Sequence, residues 1–283
     1  MILGTVELGL DYGVNNNSGK TTKKQALELL DIAWNNGIRE LDTAAAYGDA
    51  EEIIGYSEHN FLIDTKLPVS ISGERCADCL SEACMKLKTN SLNILYLHSF
   101  EQVNNAEIVE FLREQKDKGI IKQIGISIYE PSEMQYITKQ LHYVDVIQFP
   151  FNVFDNCRWV EQIQQAKEAQ KKLYARSIFL QGLIFKDRHD NFIRSIGAID
   201  YIESLQKICK EADTSIAELA CHYVLQEPHI DEIIIGCQTT NDVLVNTNIL
   251  NSKKNLDTEL MQRISELSKT IPINVVDPRR WKR

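Results

Sequence analysis

The sequence predicts an α/β chain folded as one (β/α)8 TIM barrel, and three observations carry that prediction. Eight short apolar or β-rich runs recur along the chain, separated by segments of helical period. No composition break or low-complexity linker interrupts the series, so 1–283 is expected to be a single domain. Finally, 283 residues suit a closed barrel, which typically needs about 250, and 43% hydrophobic content supplies its core.

The strand candidates are 2–8, 38–43, 61–66, 94–98, 121–127, 144–151, 173–179 and 233–236, each short enough for a buried parallel strand. The first helix, 22–36, opens on a Thr22-x-x-Gln25 capping box. It carries Ala26, Leu27, Leu30, Ala33 and Trp34 on one stripe and stops at Gly37. Further helices are expected at 75–89, 104–118, 131–140, 158–171, 198–211, 215–226 and 239–250. An additional C-terminal amphipathic helix near 256–269 and the tail TIPINVVDPRRWKR lie beyond the eight repeats. Two long segments, FKDRHDNFIRSIGA and this tail, are positioned to reach the mouth where the loops following the strands gather.

Charge and composition exclude several classes of function. A net charge of -9 disfavours nucleic acid, whose phosphates are met by clustered Lys and Arg. The opening MILGTVELGL has no basic leader, and no apolar run approaches the ~20 residues of a membrane span. A cytoplasmic protein with no membrane partner is expected, as a monomer or small homo-oligomer. Seven cysteines in such a chain imply reduced thiols. Cys76, Cys79 and Cys84 cluster on a helical pattern as packing residues, with no histidine near enough to complete a metal site, so no metal is expected.

The barrel places ionisable groups where packing alone gives them no role. Asp42 ends the second strand, Tyr47 opens the loop after it, Lys66 ends the third strand and His98 the fourth. A phenol with an ordinary pKa of about 10 is a poor acid near neutrality. An adjacent Lys66 is expected to lower it, with Asp42 pairing to Lys66 and His98 sharing charge on a substrate oxygen. Taken singly, Asp42 reads first as a helix cap, Tyr47 as a rim aromatic, Lys66 as a snorkelling strand end and His98 as a satisfied core residue. Four such groups at successive strand ends point to chemistry instead.

Segments NGIRELDTAAAYGDAEEIIG, DTKLP, LNILYLHS, KGIIKQIGISIYEP and VIQFPFN, in this order and spacing, resemble the aldo-keto reductase family from about residue 2 to about residue 250. The resemblance implies carbonyl reduction by hydride transfer from NADP(H), with NAD(H) as the alternative cofactor, and a small-molecule carbonyl substrate. It implies Asp42, Tyr47, Lys66 and His98 as a catalytic tetrad, with Tyr47 the proton donor. Ser127 and Gln148 match positions that hold the nicotinamide carboxamide. Arg176 stands where many members stack an aromatic ring, and Ser177, Leu180, Gln181 and Gly182 match the loop around the pyrophosphate. Thr5, Gly236, Thr239, Asp242 and Asn246 complete the expected cofactor set, Asn246 toward the adenine. Gly236 and Asp242 replace basic residues common in NADP-specific members, which leaves cofactor preference open.

Ile128 and Asn93 are further departures from the family pattern. The segments LGTVELGLDYGV and ARSIFLQGL look like bacterial members tied to surface-polysaccharide or modified-sugar pathways. Tyr12, Phe100, Tyr129 and Phe151 are expected to line the substrate pocket, together with the loop bearing Arg188, His189 and Arg194. Arg279, Arg280 and Lys282 are candidates for a substrate phosphate, against the reading of a solvated tail. Two alternatives stay open on the sequence. One is a nucleotide-binding regulatory or interaction subunit with little turnover, suggested by Ile128 and Asp242. The other is an isomerase or aldolase with Lys66 as a Schiff-base nucleophile.

Overall fold

In the computed structural model, which describes residues 1–16, 19–252 and 254–281, eight parallel strands close into a barrel in sequence order. They are β1 Ile2–Gly4, β2 Glu40–Asp42, β3 Leu62–Lys66, β4 Leu92–Leu97, β5 Ile121–Ser127, β6 Val146–Pro150, β7 Lys172–Arg176 and β8 Glu232–Gly236. The ring is sealed by β1 pairing with β8, Gly4 opposite Gly236. The helices are α1 Val6–Gly9, α2 Lys23–Asn35, α3 Ala50–Ile54, α4 Cys76–Leu87, α5 Ala106–Asp117, α6 Pro131–Gln140 and α7 Val160–Glu168. After these come α8 Asn191–Ser195, α9 Ile199–Glu211, α10 Ile216–Leu225, α11 Thr240–Asn251, α12 Thr258–Thr270 and α13 Ile273–Val276.

Local chemistry explains most boundaries. Thr22 accepts from the Gln25 amide, and the Gln25 side chain returns the bond to the Thr22 N–H, closing the capping box of α2. Its buried stripe is Ala26, Leu29, Leu30 and Ala33, with Leu29 rather than Leu27 fully inside. Gly37 ends that helix at φ +88°. The first strand is shorter than 2–8, because the chain turns after Gly4 into α1.

Strand alternation divides the interior in two. One apolar core lies between the barrel and its helices, and a second, of Ile2, Ile94, Tyr96, Val146, Tyr174 and Ile234, fills the lumen. Counting by twos along the lumen-facing positions leads from Glu40 to Asp42, from Asp64 to Lys66, from Tyr96 to His98 and from Val146 to Gln148. The tetrad candidates on β2, β3 and just beyond β4 are thus the last lumen-facing positions of their strands. Below them, Asn93 donates to Glu40 at 3.0 Å and to Asp64 at 2.9 Å. Asp64 is fully buried, and its carboxyl is held well above the usual range by burial and by the neighbouring Glu40.

The C-terminal tail is partly structural. Trp281 is buried, edge-on to Phe192, and donates to the Val275 carbonyl. No helix among the described residues is long and apolar enough to cross a membrane, and none of their His, Cys, Asp and Glu groups forms a metal-binding cluster. Lys282 lies outside the described residues.

Candidate active site

Lys66 is fixed by three bonds. Its ammonium donates to Asp42 Oδ1 at 2.7 Å, to Asp42 Oδ2 at 2.6 Å and to the Thr43 carbonyl at 2.9 Å. Gln148 Nε2 adds a fourth contact, donating to Asp42 Oδ2 at 2.7 Å. The ion pair is almost wholly buried, which demands full pairing of both partners. The Tyr47 ring stands 5.3 Å from Lys66 Nζ and meets His98 edge-on at 6.2 Å. Four residues from three strand ends therefore share one corner of the mouth.

The electrostatics of that corner differ from the sequence expectation in one respect. Burial pushes the Tyr47 phenol well up rather than down, the Asp42 carboxylate adds to the effect, and Arg176 opposes it. The physical reason is burial of the ring, which disfavours the phenolate, with the Asp42 carboxylate beside Lys66 acting in the same direction. Burial and the Lys66 and Arg176 charges move His98 the other way, down to about 3, so its imidazole is neutral. Its buried Nδ1 has no partner.

A cleft of about 460 Å³ runs from this corner toward the start of α11. Among the residues expected to bind cofactor, Thr5, Ser127, Gln148, Arg176, Ser177, Gln181, Gly182, Gly236, Asp242 and Asn246 line it. Leu180 and Thr239 do not: Leu180 is turned wholly into the core, and Thr239 caps α11 by accepting from the Asp242 N–H at 3.1 Å. The 177–182 loop is wound tightly, with Ser177, Leu180 and Gln181 all at positive φ. Such conformations cost about 1–3 kcal/mol each in non-glycine residues and concentrate at ligand sites. Asn152 braces the loop by donating to the Ser177 carbonyl at 3.1 Å.

On the expected substrate side, Tyr12 and Tyr129 line the cleft, whereas Phe100 and Phe151 do not. Phe151 is buried against Phe149 and Tyr223, on the outer face of the strand direction that carries Gln148 inward. Phe100 starts a 3-10 turn and packs edge-on against Tyr136 of α6. Arg188, His189 and Arg194 are exposed outside the cleft, Arg188 pairing with Glu203. Tyr129 is held between two guanidinium groups, Arg176 at 4.2 Å and Arg279 at 4.0 Å. Arg279 also pairs with Glu130 and Asp277, and Arg280 with Asp277, so the tail reaches the rim with its cations already engaged.

Sequence reasoning missed Glu7, Asn15, Phe179 and Phe185, all of which line the cleft. Glu7 falls within the expected strand 2–8, yet it sits on α1, where burial pushes its carboxyl up to about 7. The signal available was an acid inside an otherwise apolar run.

The cleft fits a dinucleotide on two observations. The buried Glu7 Oε2 and His98 Nδ1 both lack partners within the protein. Gly236 provides room that a side chain would remove, since a Cβ there would overlap the Glu7 carboxylate. A closed parallel barrel with an Asp–Lys pair, a phenol and a neutral imidazole at the strand ends defines a class of barrel oxidoreductase. The chain belongs to the aldo/keto reductase family, whose model matches residues 1–269.

Relatives span almost the whole chain. An uncharacterized oxidoreductase of Bacillus subtilis, YqkF, is 26% identical over 91% of this chain and 93% of its own length. The D-arabinose 1-dehydrogenase of Saccharomyces cerevisiae is 23% identical over 93% of this chain and 89% of its own. The holo form of an aldo-keto reductase from Bacillus halodurans superposes with a TM-score of 0.80 at 20% identity, covering 99% of this chain and 94% of that one.

Proposed function

We propose that the protein reduces an aldehyde or ketone to the alcohol, using a reduced nicotinamide dinucleotide held in the cleft. The observation that carries the reading is the Asp42–Lys66 pair set beside Tyr47 and a neutral His98. When bound, the dinucleotide would supply the hydride that the carbonyl carbon takes up. The chain's own residues manage the oxygen. Tyr47, its phenol kept protonated by burial, holds a proton for the oxygen that becomes alkoxide, a much stronger base than phenolate. His98, neutral, offers a hydrogen bond to the same oxygen. Lys66, anchored by Asp42 and Thr43, fixes a buried ion pair beside the Tyr47 ring. Ser127 and Gln148 occupy the floor where the nicotinamide carboxamide is placed in this reading.

The names of the relatives lend no support to the surface-polysaccharide subgroup expected from the opening segment. The sugar dehydrogenase among them and the paired aromatics Tyr12 and Tyr129 favour a small polar carbonyl such as an aldose or keto-sugar. The test is oxidation of NADH and NADPH on a panel of aldehydes, ketones and sugars, with product alcohols identified by chromatography. Absence of turnover on every member, with cofactor bound, would reject the reading.

A further inference from the structure

Charged side chains divide this cleft unevenly. Its charged lining residues are Glu7, Asp42, Lys66, Arg176 and Asp242. Both cations belong to the catalytic end, and both are engaged. Lys66 is bonded to Asp42 and Thr43, and Arg176 donates to the Ile128 carbonyl at 2.9 Å while lying against Tyr129. The charged lining of the far end, where β8 hands over to α11, is acidic alone among the described residues.

Two features of that end bear on a phosphate. The start of α11 would otherwise be an anion site, because its first amides lack helical partners. Here Asp242 sets a carboxylate at that start: its Oδ2 accepts from the Thr239 N–H at 2.8 Å and the Gln238 N–H at 3.1 Å, the amides that lead into the helix. Across the gap above Gly236 stands Glu7, close enough that a Cβ on residue 236 would overlap its carboxylate. Glu7 Oε2 is buried without a partner, so an incoming hydroxyl donor would satisfy it and an incoming phosphate would not.

We infer that Glu7 and Asp242 form an acidic gate that selects NADH over NADPH, accepting the ribose 2′-hydroxyl and excluding the 2′-phosphate. This rests on the reductase reading above, and it reverses the NADP(H) preference that the resemblance alone suggests. The phosphate ester meets two costs: repulsion by the Asp242 carboxylate, and a buried Glu7 oxygen that it cannot satisfy. A ribose hydroxyl meets neither cost, and a carboxylate is the acceptor that vicinal hydroxyls need.

Isothermal titration of the intact protein with NADH and with NADPH, without substrate, tests this. NADH is expected to bind at least about 10-fold more tightly. Glu7→Gln and Asp242→Asn should each narrow the gap by strengthening NADPH, with NADH changed little by Asp242→Asn. Tighter NADPH binding by the unaltered protein, or a ratio that neither variant moves, would overturn the gate. Binding of neither dinucleotide would instead overturn the reductase reading itself, and with it the gate.

Discussion

Lys66 Nζ lies 2.7 Å and 2.6 Å from the two carboxylate oxygens of Asp42, in a pocket where the two side chains are 1% and 6% exposed. A buried pair of this kind is costly to break from one side, because the surviving charge stays desolvated. Lys66→Met is therefore expected to lower stability by about 3–5 kcal/mol. The double variant Asp42→Leu/Lys66→Met should recover much of that loss while remaining inactive. Urea unfolding of the three proteins decides it. Equal stability of the single variant and wild type would show that the pair is solvated in solution.

Tyr47 makes a separable prediction. Tyr47→Phe keeps the ring's edge contact with His98 and removes only the transferable proton. Turnover should fall by about 10²–10⁴-fold with cofactor affinity retained. Neither Tyr47, raised by burial, nor His98, held down to about 3, changes protonation near neutrality. The tetrad thus predicts a flat kcat profile between about pH 5 and 8. A tetrad group titrating in that window, traced by its absence in the Tyr47→Phe or His98→Gln profile, would contradict the assignment.

The carboxyl pair beneath the tetrad should be visible in stability rather than rate. Asp64 is raised well above its ordinary value by burial and by Glu40, which is itself raised. A carboxyl whose folded pKa exceeds its unfolded one binds more protons folded than unfolded. Stability then falls as pH climbs from the unfolded value of about 3.9 toward the folded one. Asp64→Asn retains an oxygen for the Asn93 bond and cannot ionise. It should gain on the wild type as pH rises from 4 to 8, read as a widening difference in denaturant midpoint. A difference independent of pH would show that Asp64 is not held protonated.

Legibility of the molecule in its sequence followed the strength of the periodic signals. Helices with caps and full stripes, such as Thr22–Gln25 leading into α2, lie within a residue or two of expectation. Short strands were placed, but 2–8 was overextended, because Val6 and Leu8 look like strand residues and the turn after Gly4 is imposed by tertiary packing. That error hid Glu7. Phe151 shows the opposite kind of miss, since alternation counted from Gln148 already sends it outward. The pKa of Tyr47 is not legible at all: it depends on how deeply the ring is buried and how near Asp42 stands, matters of ångströms that spacing does not encode.

Gly9 carries the last prediction. It closes α1 directly against the loop bearing Tyr47, and a Cβ at position 9 would overlap the Tyr47 carbonyl and come within 2.8 Å of the Ala50 amide nitrogen. On the other side of the contact stands Gly48, at φ +58°, whose own Cβ would overlap the Gly9 carbonyl. The two glycines let two backbones touch, which sets the depth of the phenol in the mouth. Gly9→Ala must push the Tyr47 segment away, and a displacement of about 1 Å at a reacting group costs roughly 10²-fold in rate. Tyr47→Phe has already lost the group being positioned, so adding Gly9→Ala to it should slow turnover much less than Gly9→Ala slows the wild type. A full additional loss in the double variant would mean that Gly9 matters to the barrel or to cofactor binding rather than to where Tyr47 sits.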